Sequence, residues 1–293
     1  MKTKKIVFLL LILLSTSPKI FSIKKDSLLF IQEVKNFSFK EIGVELKGDF
    51  FTKIKETEKP YIYVYTSLPY AIENPIGYES FFFCDTNTAL ANKKIAEYKA
   101  QGYHTFLYKT FANSEAMLNK RFFMYPKEAE VFIIFHELTH NYIAQQNLKV
   151  PYDYNEALSD LIGNYGTLNF YKANNSKEFN IAQTQMYNNE RIYFCMNSYI
   201  AGINRKPRKA DLLDTKCDNE IKIILKECNL FQNDRFNFTV NNAYLLKNQF
   251  YSKNYFLLKK VLQKQKTIKA LLDVMKSLPE NSEECEKYLL RFT

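Results

Sequence analysis

The stretch KEAEVFIIFHELTHNYIAQQN, residues 127–147, decides how we interpret the fold. It follows Pro126 and contains neither Gly nor Pro, so the pattern predicts one long helix from Lys127 to Asn147. The apolar run Val131–Phe135 gives this helix a buried face. Because residues four apart lie on the same side of a helix, His136 and His140 can reach one ion. The stretch therefore predicts a rigid helix that presents two imidazoles to one point.

A second helix is predicted from Asn155 to Tyr171, after a break near Pro151. Two helices joined by such a break can fold back antiparallel, which brings Glu156 over the histidine pair. Two His, one Glu and a water form a tetrahedral catalytic zinc site with an open position. The remaining histidine, His104, lies upstream in a predicted strand, so a downstream carboxylate is the natural third ligand. We therefore expect Glu156 to complete a site for one zinc ion with the two histidines.

Polar residues beside these ligands are expected to support the chemistry. Glu137 lies one step round the helix, where it can take a proton from a water activated by the metal and later give one to a leaving amine. Asp160, four residues after Glu156, faces the same way and can accept a hydrogen bond from the outer nitrogen of a ligand histidine. Asn155 is assigned with Asp160 to this supporting set.

The segment before these helices predicts a small sheet. Tyr61–Tyr65 is rich in aromatic and β-branched residues, and Phe81–Cys84 and Tyr103–Tyr108 are two further candidate strands. Between the last two, Thr88–Gln101 is predicted as a helix closed by Gly102. The expected fold class is α+β, with a small N-terminal β-sheet and helices packed on a mainly helical C-terminal half.

Residues 1–22 are expected to be a secretory signal peptide rather than part of the fold. Lysines precede the apolar run Ile6–Leu14, and this run is far shorter than the roughly 20 residues of a membrane-spanning helix. Cleavage leaves a single domain, 23–293, with a sheet-containing lobe at 23–125 and a helical lobe at 126–293. We expect an exported protein, periplasmic or extracellular, without stable membrane insertion after cleavage. The alternative is an uncleaved membrane anchor.

The charge pattern argues against nucleic acid as a partner. The formal net charge is +10, but Lys and Asp/Glu are interspersed, and neither a long basic block nor a nucleic-acid motif is present. Export permits disulfides, and the five cysteines leave at least one unpaired. Cys217 with Cys228 is the nearest pair along the sequence. The expected partner is a peptide or protein substrate.

The paired motifs resemble those of the gluzincins, zinc peptidases with H-E-x-x-H and a Glu as third ligand. His136–His140 and Asn155–Asp160 are similar to the two signature segments of thermolysin. From about Tyr61 to Met275 the chain resembles a bacterial family of predicted aminopeptidases. The matching segments are Gly77–Asp85, Gly102–Tyr108, Tyr125-Pro126, Ile134–His140, Asn155-Glu156, Asn241–Leu245 and Tyr251. The resemblance implies a zinc-dependent peptidase with aminopeptidase activity.

The chain also departs from that family at identifiable positions. Asp160 stands where the family has an uncharged residue, which brings the site closer to the thermolysin pattern. Tyr244 stands where members often carry His, and Phe111-Ala112-Asn113 replaces a Tyr-Ser-Thr stretch before the zinc helix. The change at Phe111–Asn113 concerns a substrate contact of the family, and none of the departures is at a predicted metal ligand.

Peptide hydrolysis also requires a donor for the oxyanion that develops on the attacked carbonyl. Since no further histidine is available, Tyr251 and Tyr244 are the catalytic candidates for this role. Asn242 is a candidate for substrate binding in the same late segment. Arg191 and Arg235 are possible partners for a substrate carboxylate.

The expected function is an exported zinc-dependent peptidase, with aminopeptidase action favoured by the resemblance and endopeptidase action left open. The alternative is a zinc-binding exported interaction protein with reduced or lost catalysis, which the altered Phe111–Asn113 stretch motivates. A zinc hydrolase that acts on a non-peptide amide is a third possibility.

Overall fold

A three-stranded sheet followed by a helical half confirms the predicted α+β class. The computed structural model describes residues 25–52, 54–55, 59–69, 71–75, 81–110, 118–205, 219, 223 and 241–293. The predicted signal peptide, Arg235, the Phe111–Asn113 stretch and the pair Cys217 and Cys228 lie outside the described residues.

The sheet contains the three predicted strands, with ends shifted by one or two residues. They are β2 (Tyr61–Ser67), β3 (Phe81–Phe83) and β4 (His104–Thr110), in the order β3-β2-β4. Both pairings are antiparallel, and Tyr63 of the central strand pairs with Phe83 on one side and Tyr108 on the other. A short parallel pair joins β1 (Ile54–Lys55) to β5 (Leu118–Asn119).

The two faces of the sheet have different neighbours because side chains alternate along a strand. Ile62 and Val64 are buried against helix α2 (Thr88–Ala100) in a small core of their own. The opposite face is aromatic: the Tyr63 ring centre lies 4.9 Å from that of Phe83 and 6.0 Å from that of Tyr108. Helix α2 covers one face only, so the aromatic face is available to the helical half.

The helical half holds the larger hydrophobic core. Its helices are α3 (Lys127–Gln145), α4 (Tyr152–Ala173), α5 (Phe179–Arg205), α6 (Asn242–Ser252), α7 (Tyr255–Gln265), α8 (Ile268–Met275) and α9 (Ser282–Leu289), with 3₁₀ turns at Lys120–Met124 and Leu290–Phe292. Within the described part of the chain, none of the helices combines the length and apolarity that crossing a bilayer requires.

Helix α1 (Lys25–Ile42) was not anticipated from the sequence. Its Ile31, Val34 and Ile42 are almost fully buried and belong to the same core as α3 and α4. The helical core therefore draws on residues from both ends of the chain. The lobe boundary at residues 125 and 126 stays a prediction.

Helices α3 and α4 pack closely because α4 carries glycines where α3 carries large rings. A Cβ atom on Gly166 would lie 2.3 Å from the ring of Phe135, and one on Gly163 would lie 2.8 Å from the ring of Phe132. Real Cβ atoms do not approach other atoms so closely, so the helix spacing depends on these two positions. This spacing brings the histidine-bearing face of α3 against α4.

The described cysteines Cys84, Cys195 and Cys285 form no disulfide with one another. Cys285 is fully buried, and its Sγ lies 3.0 Å from the carbonyl oxygen of Pro279. No disulfide therefore constrains the fold among these three residues.

Candidate metal centre

His136, His140 and Glu156 form a group that could hold a metal ion, with one donor atom from each lying within 4.8 Å of the others. The two Nε2 atoms are 3.1 Å apart. Glu156 Oε2 lies 3.8 Å from Nε2 of His136 and 3.7 Å from Nε2 of His140. The point equidistant from the three atoms is roughly 2.1 Å from each, which matches ordinary Zn–N and Zn–O bond lengths.

The local fold explains this convergence. The two histidines are one helical turn apart on α3, and α4 begins immediately after Pro151, which is its N-cap residue. The helix thus starts three residues before the predicted Asn155, because Pro at a helix entry needs no hydrogen-bond partner for a backbone N–H. Glu156 consequently lies in the second turn of α4 rather than at its first residue.

The outer nitrogen of His140 is held by polar groups of α4. Its Nδ1 lies 2.8 Å from Oδ1 of Asn155 and 3.3 Å from Oγ of Ser159. A carbonyl oxygen only accepts hydrogen bonds, so Nδ1 carries the ring proton in the neutral imidazole. The lone pair of His140 is therefore on Nε2, the atom that faces Nε2 of His136 and Oε2 of Glu156.

The outer nitrogen of His136 faces a carboxylate. Its Nδ1 lies 2.9 Å from Oδ1 of Asp160, a close contact between the ring and a carboxylate. The other carboxylate oxygen of Asp160 accepts a hydrogen bond from the hydroxyl of Tyr193 on α5. Asp160 thus occupies the supporting position expected from its spacing.

The charge around His136 favours its protonated form in the absence of metal. Burial lowers the pKa of the ring, but the contact with Asp160 and the charges of Asp160, Glu137 and Glu156 outweigh it and raise the pKa to about 9. Two imidazole lone pairs and a carboxylate oxygen that face one another repel unless a cation or a proton lies between them. The donor set of two nitrogens and one oxygen is one that zinc takes in catalytic sites, so these residues fit the expected ion.

Glu137 lies beside the donor group without belonging to it. Its side chain is half-buried, and burial raises the pKa of the carboxyl, with the nearby charge of Glu156 adding to the rise. The charges of His136 and His140 act in the opposite direction. A carboxyl group whose pKa is raised accepts a proton more readily than an ordinary glutamate.

The three candidates from the late segment occupy different places on α6. The ring of Tyr251 stacks on that of His136, with centres 6.1 Å apart and planes at 27°. Tyr244 is buried and packs edge-on against Phe106 of the sheet, with ring centres 5.1 Å apart. The structure therefore brings Tyr251 to the donor group and directs Tyr244 to the interface with the sheet.

Asn242 does not reach the donor group as a substrate ligand would. Its Nδ2 lies 3.0 Å from the carbonyl oxygen of Leu68, 3.1 Å from that of Pro69 and 3.4 Å from that of Ala71. An amide has two N–H donors, and both are used by these acceptors. The predicted substrate-binding role is therefore replaced by a structural one, because Asn242 attaches α6 to the loop after β2.

Two further residues considered from the sequence lie apart from the metal group. His104 begins β4 opposite Ser67, where burial lowers the pKa of its ring. Arg191 contacts the ring of Tyr187 and the side chain of Asn188 on its own helix.

The site also contains residues that the sequence did not single out. The hydroxyl of Tyr152 hydrogen-bonds to Glu156, and burial together with this carboxylate raises the pKa of the phenol. Lys247 of α6 lies over the rings of Tyr108 and Tyr251. Tyr152 and Glu156 are four residues apart on one helix, so their contact could have been predicted from the sequence. The contact of Lys247 with Tyr108 could not, because it joins segments that are far apart in sequence.

We compared the chain with family models, curated proteins and solved structures, and none of them matches it.

Proposed function

We propose that the protein is an exported zinc-dependent peptidase whose ion is bound by His136, His140 and Glu156. The single observation that carries the proposal is the convergence of these three donor atoms within 4.8 Å, with the Glu137 carboxyl beside them. When bound there, zinc supplies Lewis-acid activation of water and of a substrate carbonyl.

The chain's own residues would then divide the remaining work. Glu137 takes the proton from the attacking water as the C–O bond to the carbonyl carbon forms, and it passes this proton to the amine nitrogen when the resulting tetrahedral intermediate collapses and the C–N bond breaks. Its raised pKa favours acceptance of the proton, which the same carboxyl can then donate as an acid. Asp160 and Asn155 hold the two imidazoles in the orientation that directs Nε2 at the ion.

The aromatic face of the sheet supports a peptide as the substrate class. The charge of Glu156 contributes to the raised pKa of Tyr65, so this face of β2 lies close to the donor group. The Tyr65 ring centre is 5.5 Å from that of Phe81 and 6.5 Å from that of Tyr108. Tyr65 itself is buried, but Phe81 and Tyr108 are partly exposed, and such rings suit apolar side chains of a peptide. We place aminopeptidase action first on the family resemblance.

The decisive experiment measures peptide hydrolysis by the zinc-loaded protein and by Glu137→Gln. We expect the variant to keep its zinc and to lose activity by about 100-fold or more, because the proton acceptor is removed while the ligands remain. Glu283→Gln, a change at an exposed carboxylate, is the matched control. Equal hydrolysis by wild type and Glu137→Gln would overturn the proposal.

A peptide library decides the finer points. Peptides with free and with acetylated N-termini separate aminopeptidase from endopeptidase action, since only the former depends on the free amine. A protein that binds zinc and cleaves none of the library would instead be the zinc-binding interaction protein or a zinc hydrolase that acts on a non-peptide amide.

A further inference from the structure

Lys247 places a positive charge between two aromatic rings at the edge of the metal centre. Its Nζ lies 4.4 Å from the ring centre of Tyr108 and 4.2 Å from that of Tyr251. Both contacts are within the range of cation–π attraction, which holds the ammonium in a defined position. Among the residues that the structure describes, the ammonium makes one hydrogen bond, a long contact of 3.4 Å to Oδ1 of Asn248.

The surroundings of Lys247 connect it to the donor group. Tyr251, whose ring faces the ammonium, is the residue that stacks on the His136 ring. Lys247 and Tyr251 are four residues apart on α6 and therefore share one face of the helix. Burial lowers the pKa of Lys247 to about 8, while the negative charges of Asp160 and Glu156 act to raise this pKa. The ammonium is thus near the proposed ion and poorly solvated.

The donor capacity of this ammonium is not used within the described part of the chain. A lysine ammonium has three N–H donors, and here one is engaged in a long hydrogen bond. None of the ion pairs formed among the described residues involves Lys247, unlike Lys253 and Lys259, which pair with Asp153 and Glu190. A half-buried cation that forms no ion pair among the described residues gains most from an anionic ligand.

We propose that Lys247 binds a negatively charged oxygen of the substrate. This inference rests on the proposed peptidase function. It assigns to Lys247 the contact with the substrate that was expected of Tyr251, Tyr244 and Asn242. Two sources share this chemistry: the carbonyl oxygen as it gains charge during attack, and the free C-terminal carboxylate of a short peptide. Either oxygen would accept hydrogen bonds from the N–H donors of the ammonium that the described residues leave unused.

Kinetics of Lys247→Met on paired peptides, one with a free C-terminus and one amidated, distinguish the two sources. If the carbonyl oxygen is the ligand, kcat falls by about 100-fold on both peptides, as for loss of one oxyanion donor. If the terminal carboxylate is the ligand, KM rises about tenfold or more for the free acid alone. Lys247→Arg keeps the charge and should retain part of the activity, while Lys264→Met, at an exposed lysine, is the control.

A binding measurement separates this inference from the peptidase proposal. Calorimetry with phenylphosphonate, an aromatic tetrahedral anion, and with neutral benzamide needs no turnover. We expect Lys247→Met to weaken phenylphosphonate binding by tenfold or more at unchanged zinc content, with benzamide unaffected. If the zinc-loaded wild type cleaves no peptide, the peptidase proposal fails and this measurement still decides the role of Lys247. If wild type and Lys247→Met bind phenylphosphonate with affinities within twofold of each other, the inference is overturned.

Discussion

Oδ1 of Asp160 lies 2.9 Å from Nδ1 of His136, the ring nitrogen that does not face Glu156. The second oxygen of Asp160 is held by the hydroxyl of Tyr193, so the carboxylate links α3, α4 and α5. A carboxylate in this position fixes the tautomer of the imidazole and increases its basicity toward a metal.

Removal of the charge on Asp160 should weaken zinc binding. We expect Asp160→Asn to reduce zinc affinity by about 10- to 100-fold, because the imidazole loses the anion that orients it and strengthens its lone pair. Competition with a chromophoric chelator measures the affinity. Tyr193→Phe leaves the carboxylate in place and should cost less. Equal affinities of Asp160→Asn and wild type would contradict the supporting role of this carboxylate.

Zinc affinity should increase with pH. In the metal-free protein the pKa of His136 is raised to about 9, above the ordinary value near 6.5, so zinc must displace a proton from this ring at neutral pH. The apparent affinity should therefore rise up to about tenfold per pH unit and level off near pH 9. In Asp160→Asn the zinc affinity should stop rising at a lower pH than in wild type, since the main group that raises the His136 pKa is gone. Isothermal titration in buffers of different ionisation enthalpy counts the released protons, and an uptake of protons would contradict the assignment.

The glycine contact between α3 and α4 should be intolerant of a methyl group. The new Cβ of Gly166→Ala would lie 2.3 Å from the ring of Phe135, which is fully buried and has little space to move. Overpacking of this kind costs about 1–3 kcal/mol, more than the roughly 1 kcal/mol that Ala gains over Gly within a helix. We expect a lower free energy of unfolding in urea and weaker zinc binding. Phe135→Leu combined with Gly166→Ala should recover part of the loss, and a stabilised single variant would disprove the close approach.

Zinc should stabilise the folded protein against heat. Binding to the native state alone contributes about 2.7 kcal/mol at a free zinc concentration about 100 times Kd, which corresponds to a rise of several degrees in Tm. Differential scanning fluorimetry with zinc and then with excess chelator measures the effect. His140→Ala should abolish it, and an unchanged Tm in wild type would show that the three donors hold no zinc under those conditions.

Periodicity and spacing anticipated most of the elements that build the site. The apolar run before His136 and the aromatic run at Tyr61–Tyr65 are local signals, and both correspond to observed elements. The four-residue spacing of His136 and His140 also required no knowledge of distant contacts. Local patterns were sufficient for these features because the residue pattern of each helix or strand can be recognised within its own segment.

The remaining features depend on contacts between segments far apart in sequence. Lys247 acquires its position from Tyr108, 139 residues earlier, and Tyr193 is joined to Asp160 across 33 residues. Helix α1 has a mixed pattern whose buried residues make sense only once α3 and α4 are in place. Such residues look like ordinary aromatic or charged positions until the tertiary structure defines their neighbours.

The attachment of α6 to the sheet makes two residues at the metal centre dependent on contacts at the start of their helix. The Asn242 side chain meets three carbonyl oxygens in the loop after β2, while Asn241 donates to the carbonyl oxygen of Thr105 on β4. Tyr251, which stacks on His136, and Lys247 lie further along the same helix. A substitution at either asparagine would therefore disturb these two residues while leaving the three donor side chains unchanged.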